Sequence, residues 1–460
     1  MDCHSSSRRN FMAGCGMTAL ACAMPAESQG ASSDCAQLAQ EAVVWGFPLM
    51  MAGLYLNAAI ENGVEFDRFQ LAAGIASAKA SGVGSNIDTL NGLAWIDLTG
   101  GPKVIGVPDT ADRYYTIQLQ DMYMNSFAYI GRRTTGTAAG FFAITPPGYA
   151  GNLPSGITEI RSPTTKVLAF LRTLVRAPDD IEAVRAINWS VTIGPLAGFP
   201  SGQRGGTMKE GALSPFQPKS RLEGKTLPHK EIAQSGARYF TELDRLVREF
   251  PPHDWDAPNL ARFAPLGIGR EAASHGCSDA ELAAAAEAGV DLAVRSVKSF
   301  PDNGWLRRQN VAAIVRDPLE RAANTVYGPG TQIAEESVFY NLRQGPDGEV
   351  LSGANRYRLR FPPGELPPVD AFWSLTLYDG NYYIFDNPLD RYGITDRSEG
   401  LSVGADGSLE IFVQADEPEE GHSNWIPCPR EAFQLVFRTY QPRQPLIDGS
   451  YHLPPLEIVT

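Results

Sequence analysis

Between Asp34 and about Asn57, apolar side chains recur at Ala36, Leu38, Ala39, Ala42, Val43 and Phe47, the spacing of one helix face. The Gly46-Phe47-Pro48 run ends that stripe. From about Val104 to Leu168 the period changes to two: Tyr115, Ile117 and Leu119 alternate with Thr116, Gln118 and Gln120. Short apolar runs follow between turn residues, as in Phe141-Phe142-Ala143-Ile144 before Thr145-Pro146-Pro147-Gly148.

The helical period returns from Glu231 to Phe250, with Tyr239, Phe240, Leu243, Leu246 and Val247 on one side, and stops at Pro251-Pro252. Ser278 with Glu281 three residues on is a capping box, opening a helix to about Ser299. The stretch from about Gly194 to Pro228, rich in Gly, Pro and Lys, reads as a long loop. From about Val338 alternation resumes: Tyr357, Leu359 and Phe361, then Trp373, Leu375 and Leu377, then Leu409, Ile411 and Val413 after Asp406-Gly407, then Phe433, Leu435 and Phe437. This order predicts a mostly β, multi-domain α+β chain with two sandwich or jelly-roll-like domains joined by a helical middle. The expected divisions are a leader at 1–33, an N-terminal β domain with its leading helix at 34–193, a linker and helical segment at 194–335, and a C-terminal sandwich at 336–460.

Composition adds limits. The chain has 460 residues, enough for two or three domains, with 45 glycines and 34 prolines to turn many short strands. Net charge is −13, which disfavours nucleic acid and anionic lipid as partners. Ser7-Arg8-Arg9-Asn10-Phe11-Met12 precedes a mildly apolar run to Met24, the arrangement of a twin-arginine leader. An ordinary secretory n-region, or a lipoprotein signal through Ala19-Leu20-Ala21-Cys22, are the weaker readings. The run is too short for a permanent span, and the expected location is periplasmic or secreted. Cleavage between Ala23 and about Ser33 would leave Cys35, Cys277 and Cys428, an odd, sparse set that gives no disulfide framework and no zinc-thiolate spacing, though it allows one bridge in an oxidising periplasm.

On the strand from Tyr114 to Asn125, continued parity places Asp121, Tyr123 and Asn125 on the same side as Ile117. An unpaired buried carboxylate is costly, so Asp121 needs a partner: an arginine, with Arg113, Arg132 and Arg133 close in sequence, a metal, or a hydrogen-bond network. A site at the mouth of a barrel and a structural network closing its end both satisfy this pattern. Asn86, Asp88 and Asn91 offer alternate oxygen ligands to a hard divalent cation, and equally build Asx turns. Trp373, Tyr378, Arg391 and Trp425 belong to an aromatic-rich region that lines either a pocket or a core. The histidines are scattered, without HxH or HExxH spacing, and no G-x-S-x-G elbow occurs.

Asn86-Ile87-Asp88-Thr89-Leu90, Trp95-Ile96-Asp97-Leu98, Arg113-Tyr114-Tyr115, Asp121-Met122-Tyr123 and Gly131 to Gly136 resemble the domain of unknown function 1254. Leu366-Pro367-Pro368-Val369-Asp370-Ala371-Phe372-Trp373-Ser374, Asn387-Pro388, Arg391-Tyr392 and Asn424-Trp425-Ile426-Pro427 resemble the domain of unknown function 1214. The tandem resemblance implies two β domains with a helical insert, often exported. Leu90 and Asn91 stand where an aromatic is common, and Cys428 where a small residue is common.

The expected function is an exported enzyme acting on a small organic or carbohydrate-like substrate by hydrolysis or elimination. In that reading Asp121 is a general acid/base or metal ligand, Arg132 or Arg113 stabilises negative charge, and Tyr123 relays a proton. Asn86, Asp88, Asn125, Trp373, Tyr378, Arg391 and Trp425 would bind ligand, and the metal and oligomeric state stay open, a homo-oligomer included. The alternative is a non-catalytic periplasmic protein that binds a ligand or glycan. The leader yields a first test. Arg8→Lys combined with Arg9→Lys keeps the charge but removes the paired guanidinium groups, so fractionation should find the variant in the cytoplasm. Normal periplasmic levels would assign the leader to another route.

Overall fold

The leading helix, Glu27–Glu61, runs straight through Pro48 instead of stopping at it. A proline inside a helix costs about 3 kcal/mol. Trp45, Phe47, Leu49 and Met51 around it are all buried, and each such side chain gains roughly 1.5–3 kcal/mol on leaving water. Burial therefore overrides the break that the local sequence predicts. In the computed structural model, residues 27–79, 84–209, 227–270, 276–308, 314–326 and 330–459 are described. Arg8, Arg9, the run from Met12 to Met24, and His275 lie outside them.

Helices Arg238–Glu249 and Asp279–Arg295 pack on the leading helix. Gly46 makes room for one of them, since a Cβ there would stand 2.5 Å from a methyl of Leu243. The capping box forms as expected: the Ser278 hydroxyl accepts from the Glu281 N–H and the Glu281 carboxylate accepts from the Ser278 N–H. The stripe expected over 231–250 is split into Pro228–Ala233 and Arg238–Glu249, with Gly236 between them at φ 61°. Cys35 and Cys277 form a disulfide within this helical layer, a pairing their spacing did not suggest, and Cys428 is free and buried.

The fold is mostly β, with several sheets in an α+β, multi-domain arrangement. A six-stranded sheet runs in the order Thr207–Lys209, Gln70–Ala72, Thr89–Asp97, Lys166–Leu174, Tyr115–Gln120, Ser126–Gly131. It shares a core with a five-stranded sheet centred on Lys103–Val107: Ile117, Leu119 and Ile96 meet Ile105, Ile144 and Ile193. A second pair of sheets encloses Trp373, Leu375, Leu377 and Phe437 against Leu359, Ile411 and Ile426. Tyr115 and Trp373 thus lie in different sheets and different cores. Short edge strands carry the first pair of sheets on to Lys209 and begin the second at Phe300, past the boundaries drawn at 193 and 336. Strands of two to four residues have too few positions to show a period.

The strand Tyr115–Gln120 is buried at all six positions. Its apolar side faces the first core, and its polar side, Thr116, Gln118 and Gln120, is covered as well. Residues 330–333 lie against that polar side: Gln118 donates to Thr331 O at 2.8 Å, and Gly330 N–H donates to Gln120 at 3.0 Å. The two sandwiches meet here, with Tyr114 and Leu174 packed on Phe372 and Tyr440.

The disulfide closes 242 residues of chain, so by loop entropy its loss should cost at most about 5 kcal/mol. Thermal unfolding with and without reductant should show a lower melting temperature for reduced protein and for Cys35→Ser, and no reductant effect on that variant. Equal melting of oxidised and reduced protein would refute this.

Candidate functional site

The strand that carries Ile117 ends at Gln120, opposite a bulge at Phe127 in its partner, so Asp121 lies in the loop beyond the strand, where strand parity no longer applies. Residues 121–125 form a tight loop in which Asp121 N–H donates to Asn125 O at 3.0 Å and Met124 adopts φ 60°. The Asp121 side chain is wholly buried. Its Oδ1 accepts the backbone N–H groups of Tyr123 at 2.8 Å and Asn125 at 2.9 Å. Its Oδ2 accepts the Asn125 amide at 3.1 Å and meets Nε2 of His253 at 2.9 Å.

Of the partners expected, the hydrogen-bond network is the one formed, not an arginine, and it is completed by a histidine from the helical layer, 132 residues away. Pro251-Pro252 end helix Arg238–Glu249 and deliver His253 to the short helical turn Asp254–Asp256. The imidazole stacks on Trp255 at 5.1 Å and keeps 13% of its side-chain surface exposed. In the neutral ring, a carboxylate at Nε2 favours the tautomer with its proton there and its lone pair on Nδ1. Among the described residues, Nδ1 has no hydrogen-bond partner. Below it lies a second buried pair, Arg321 and Asp256 at 2.7 Å, with the guanidinium over the rings of Tyr123 and Trp255.

Tyr123 and Asn125 stay with Asp121, but in different roles from those expected. The Tyr123 hydroxyl donates to Phe250 O at 2.9 Å, and burial pushes it well above the usual phenol range, so it is a poor proton relay. Asn125 ties the site to the segment after 313, accepting from Val315 N–H at 3.1 Å. Arg113 lies at the far end of the strand, bound to Asp180 at 2.5 and 2.8 Å and to Leu174 O. Arg132 bonds to Asp112 in its own domain and reaches Gln441 and Asp370 O across the domain boundary. Neither arginine touches Asp121, because residues 113 and 132 both sit near the opposite end of this hairpin.

Asn86, Asp88 and Tyr378 do come together, at the domain boundary. Asn86 Oδ1 accepts from Asp88 N–H and Thr89 N–H, both at 3.0 Å, which is an Asx turn. Asp88 is buried and accepts from Ser374 at 2.6 Å and from Arg397 at 2.8 Å. Tyr378 donates to Ser85 O and accepts from the buried Arg438. Trp373 stacks on Phe437 at 5.3 Å inside the second core. Arg391 donates to Trp425 O at 3.1 Å, and the Trp425 indole donates to Gln414 O, both remote from Asp121. No cluster of three or more His, Cys, Asp and Glu side chains able to hold a metal occurs among the described residues. His253 carried no local signal, since its partner is set only by how the helical layer docks on the sheet.

This is the geometry of a tandem β-sandwich protein with a helical layer over one sheet end. Residues 66–195 match the family described as Protein of unknown function (DUF1254), and residues 336–444 match Protein of unknown function (DUF1214). The chain belongs to this tandem, in that N- to C-terminal order. The crystal structure of the VPA0106 protein from Vibrio parahaemolyticus is similar over 93% of this chain and 100% of its own, at 20% identity and a TM-score of 0.72, and so shares the fold. An uncharacterised protein from Burkholderia cenocepacia covers 95% of this chain and 96% of its own, at 12% identity and a TM-score of 0.43. No curated protein sequence matches the chain.

Burial pushes the Asp396 carboxyl up to about 6 from 3.8, although Arg397 beside it pulls the other way. A carboxyl raised on folding contributes stability that is complete below about pH 4 and is lost as pH rises through about 6. Asp396→Asn should therefore match the wild type near pH 4 and exceed it at pH 7.5, by up to roughly 3 kcal/mol. Melting curves at the two pH values check this, and equal differences at both would refute it.

Proposed function

We propose that the protein is an exported enzyme that turns over a small organic molecule by general acid–base chemistry, as a hydrolase or lyase. Nδ1 of His253 takes the proton, from a water in hydrolysis or from a substrate carbon in elimination. Asp121 positions the ring and stabilises the imidazolium that forms. The observation that carries this reading is the 2.9 Å contact between His253 Nε2 and a wholly buried carboxylate held by three further N–H donors. So many bonds on one carboxylate hold the ring in one tautomer and one orientation, which is what an oriented base needs. The stack on Trp255 removes the remaining rotational freedom. The Cys35–Cys277 disulfide supports an oxidising compartment such as the periplasm.

The test starts from a screen of esters, lactones and substrates for β-elimination with the mature, oxidised protein. On the best substrate, His253→Gln should lower kcat by about 10²–10⁴-fold while melting near the wild-type temperature. Asp121→Asn keeps an acceptor for the two backbone N–H groups but presents an amide to Nε2. It should lower kcat more than it changes KM and displace the pH profile. Undiminished turnover in His253→Gln, or no turnover of any substrate by the wild type, would overturn the reading.

A further inference from the structure

We infer that Arg321 is a positioning residue for His253, holding the imidazole on Asp121 through a closed ring of hydrogen bonds. The inference rests on the proposed role of His253 and adds the group that orients it. Arg321 projects from the helix Pro318–Thr325 and is buried with Asp256, at 2% and 0% side-chain exposure. Its Nη2 donates to Asp256 Oδ2 at 2.7 Å, and its Nη1 donates to Val315 O at 3.4 Å. Each of these bonds leads to one half of the site. On one side, Asp256 N–H donates to His253 O at 2.8 Å and closes the turn that presents the imidazole. On the other, Val315 N–H donates to Asn125 Oδ1 at 3.1 Å, and Asn125 Nδ2 donates to Asp121 Oδ2 at 3.1 Å. The 2.9 Å contact between Asp121 Oδ2 and His253 Nε2 completes the ring.

The same guanidinium lies over both aromatic neighbours of the site. Its carbon is 5.9 Å from the ring centroid of Tyr123, in the Asp121 loop. It is 5.3 Å from that of Trp255, on which His253 stacks. Three segments far apart in sequence therefore meet on one side chain: the loop 121–125, the turn Asp254–Asp256 and the stretch that leads into helix Pro318–Thr325. In a closed ring of bonds no member shifts without straining the others, so the imidazole is fixed against the carboxylate. A buried ion pair adds little stability over packed apolar side chains, and what this one supplies is orientation. Arginine suits the place because its planar fork donates in two fixed directions, whereas an ammonium is a single point.

The imidazole can be read directly, without a substrate. In the oxidised mature protein with isotope-labelled histidine, the neutral His253 ring should show the Nε2–H tautomer alone and a low-field Nε2 proton signal. Loss of that signal in His253→Gln assigns it. Arg321→Met combined with Asp256→Asn removes both charges together, so the variant should fold and melt cooperatively. Its His253 ring should show averaged tautomers and no low-field signal. On the substrate found by the screen, this variant should lose kcat about 100-fold while KM changes less than about threefold. A wild-type ring-nitrogen spectrum in the folded variant would overturn the inference, as would undiminished kcat where His253→Gln is inactive. A screen that finds no substrate removes the proposed function, while the ring-nitrogen spectra still decide the positioning role. Should the paired variant not fold, Arg321→Lys decides, since it keeps the charge on Asp256 but gives up the second direction. Its Nε2 proton should exchange with water about tenfold faster than in the wild type, and an unchanged rate would refute the inference.

Discussion

The polar faces of two sheets are pressed together at the centre of this protein, and that constraint organises much of the rest. A strand with one apolar and one polar side normally leaves the polar side in water. Here Thr116, Gln118, Ser374, Thr376 and Arg438 are all buried. Each must find a partner or carry the cost of desolvation. Gln118 bonds to Thr331 O and Ser126, Arg438 to Thr376, Tyr378 and Gly84 O, and Asp88 to Ser374 and Arg397. These bonds fix how one sandwich sits on the other. The same burial takes carboxyls out of water, which is why Asp396 is pushed up to about 6 against the pull of Arg397.

The same economy governs the end of the first sandwich. Asp121 is buried because helical residues cover the strand end, with Met122 and Tyr123 joining the core around Trp45 and Leu243. The carboxylate answers by folding its own loop around Oδ1 and capturing His253 with Oδ2. The Arg321–Asp256 pair beside it is as deeply buried, so removing either member would strand a charge. A disulfide within the helical layer joins the leading helix to the segment just before helix Asp279–Arg295.

Legibility followed the range of the interaction. Alternation at Tyr115, Ile117 and Leu119 and at Trp373, Leu375 and Leu377 marked core positions, because a strand's period is a local property. The capping box at Ser278 was readable for the same reason, spanning three residues. Asp121 stood out because a carboxylate among apolar neighbours demands compensation. What compensates it was readable only in part: Asn125 does donate to it, but hairpin geometry carries Arg113 and Arg132 away, and His253 comes from a distant segment. Pro48 misled, since its local cost is smaller than the burial gained by the helix it interrupts.

The sequence by itself determined the alternation of β, helical and β regions, the family tandem, and the presence of a carboxylate that could not be left alone. Those features rest on periods, caps and motifs a few residues long. Only the tertiary structure decided that Asp121 meets His253, that Cys35 meets Cys277, and that the polar side of a central strand is covered rather than solvated. Each of these joins residues more than a hundred positions apart or depends on a neighbouring domain. Such contacts are chosen by the packing of whole layers, and no local pattern encodes them.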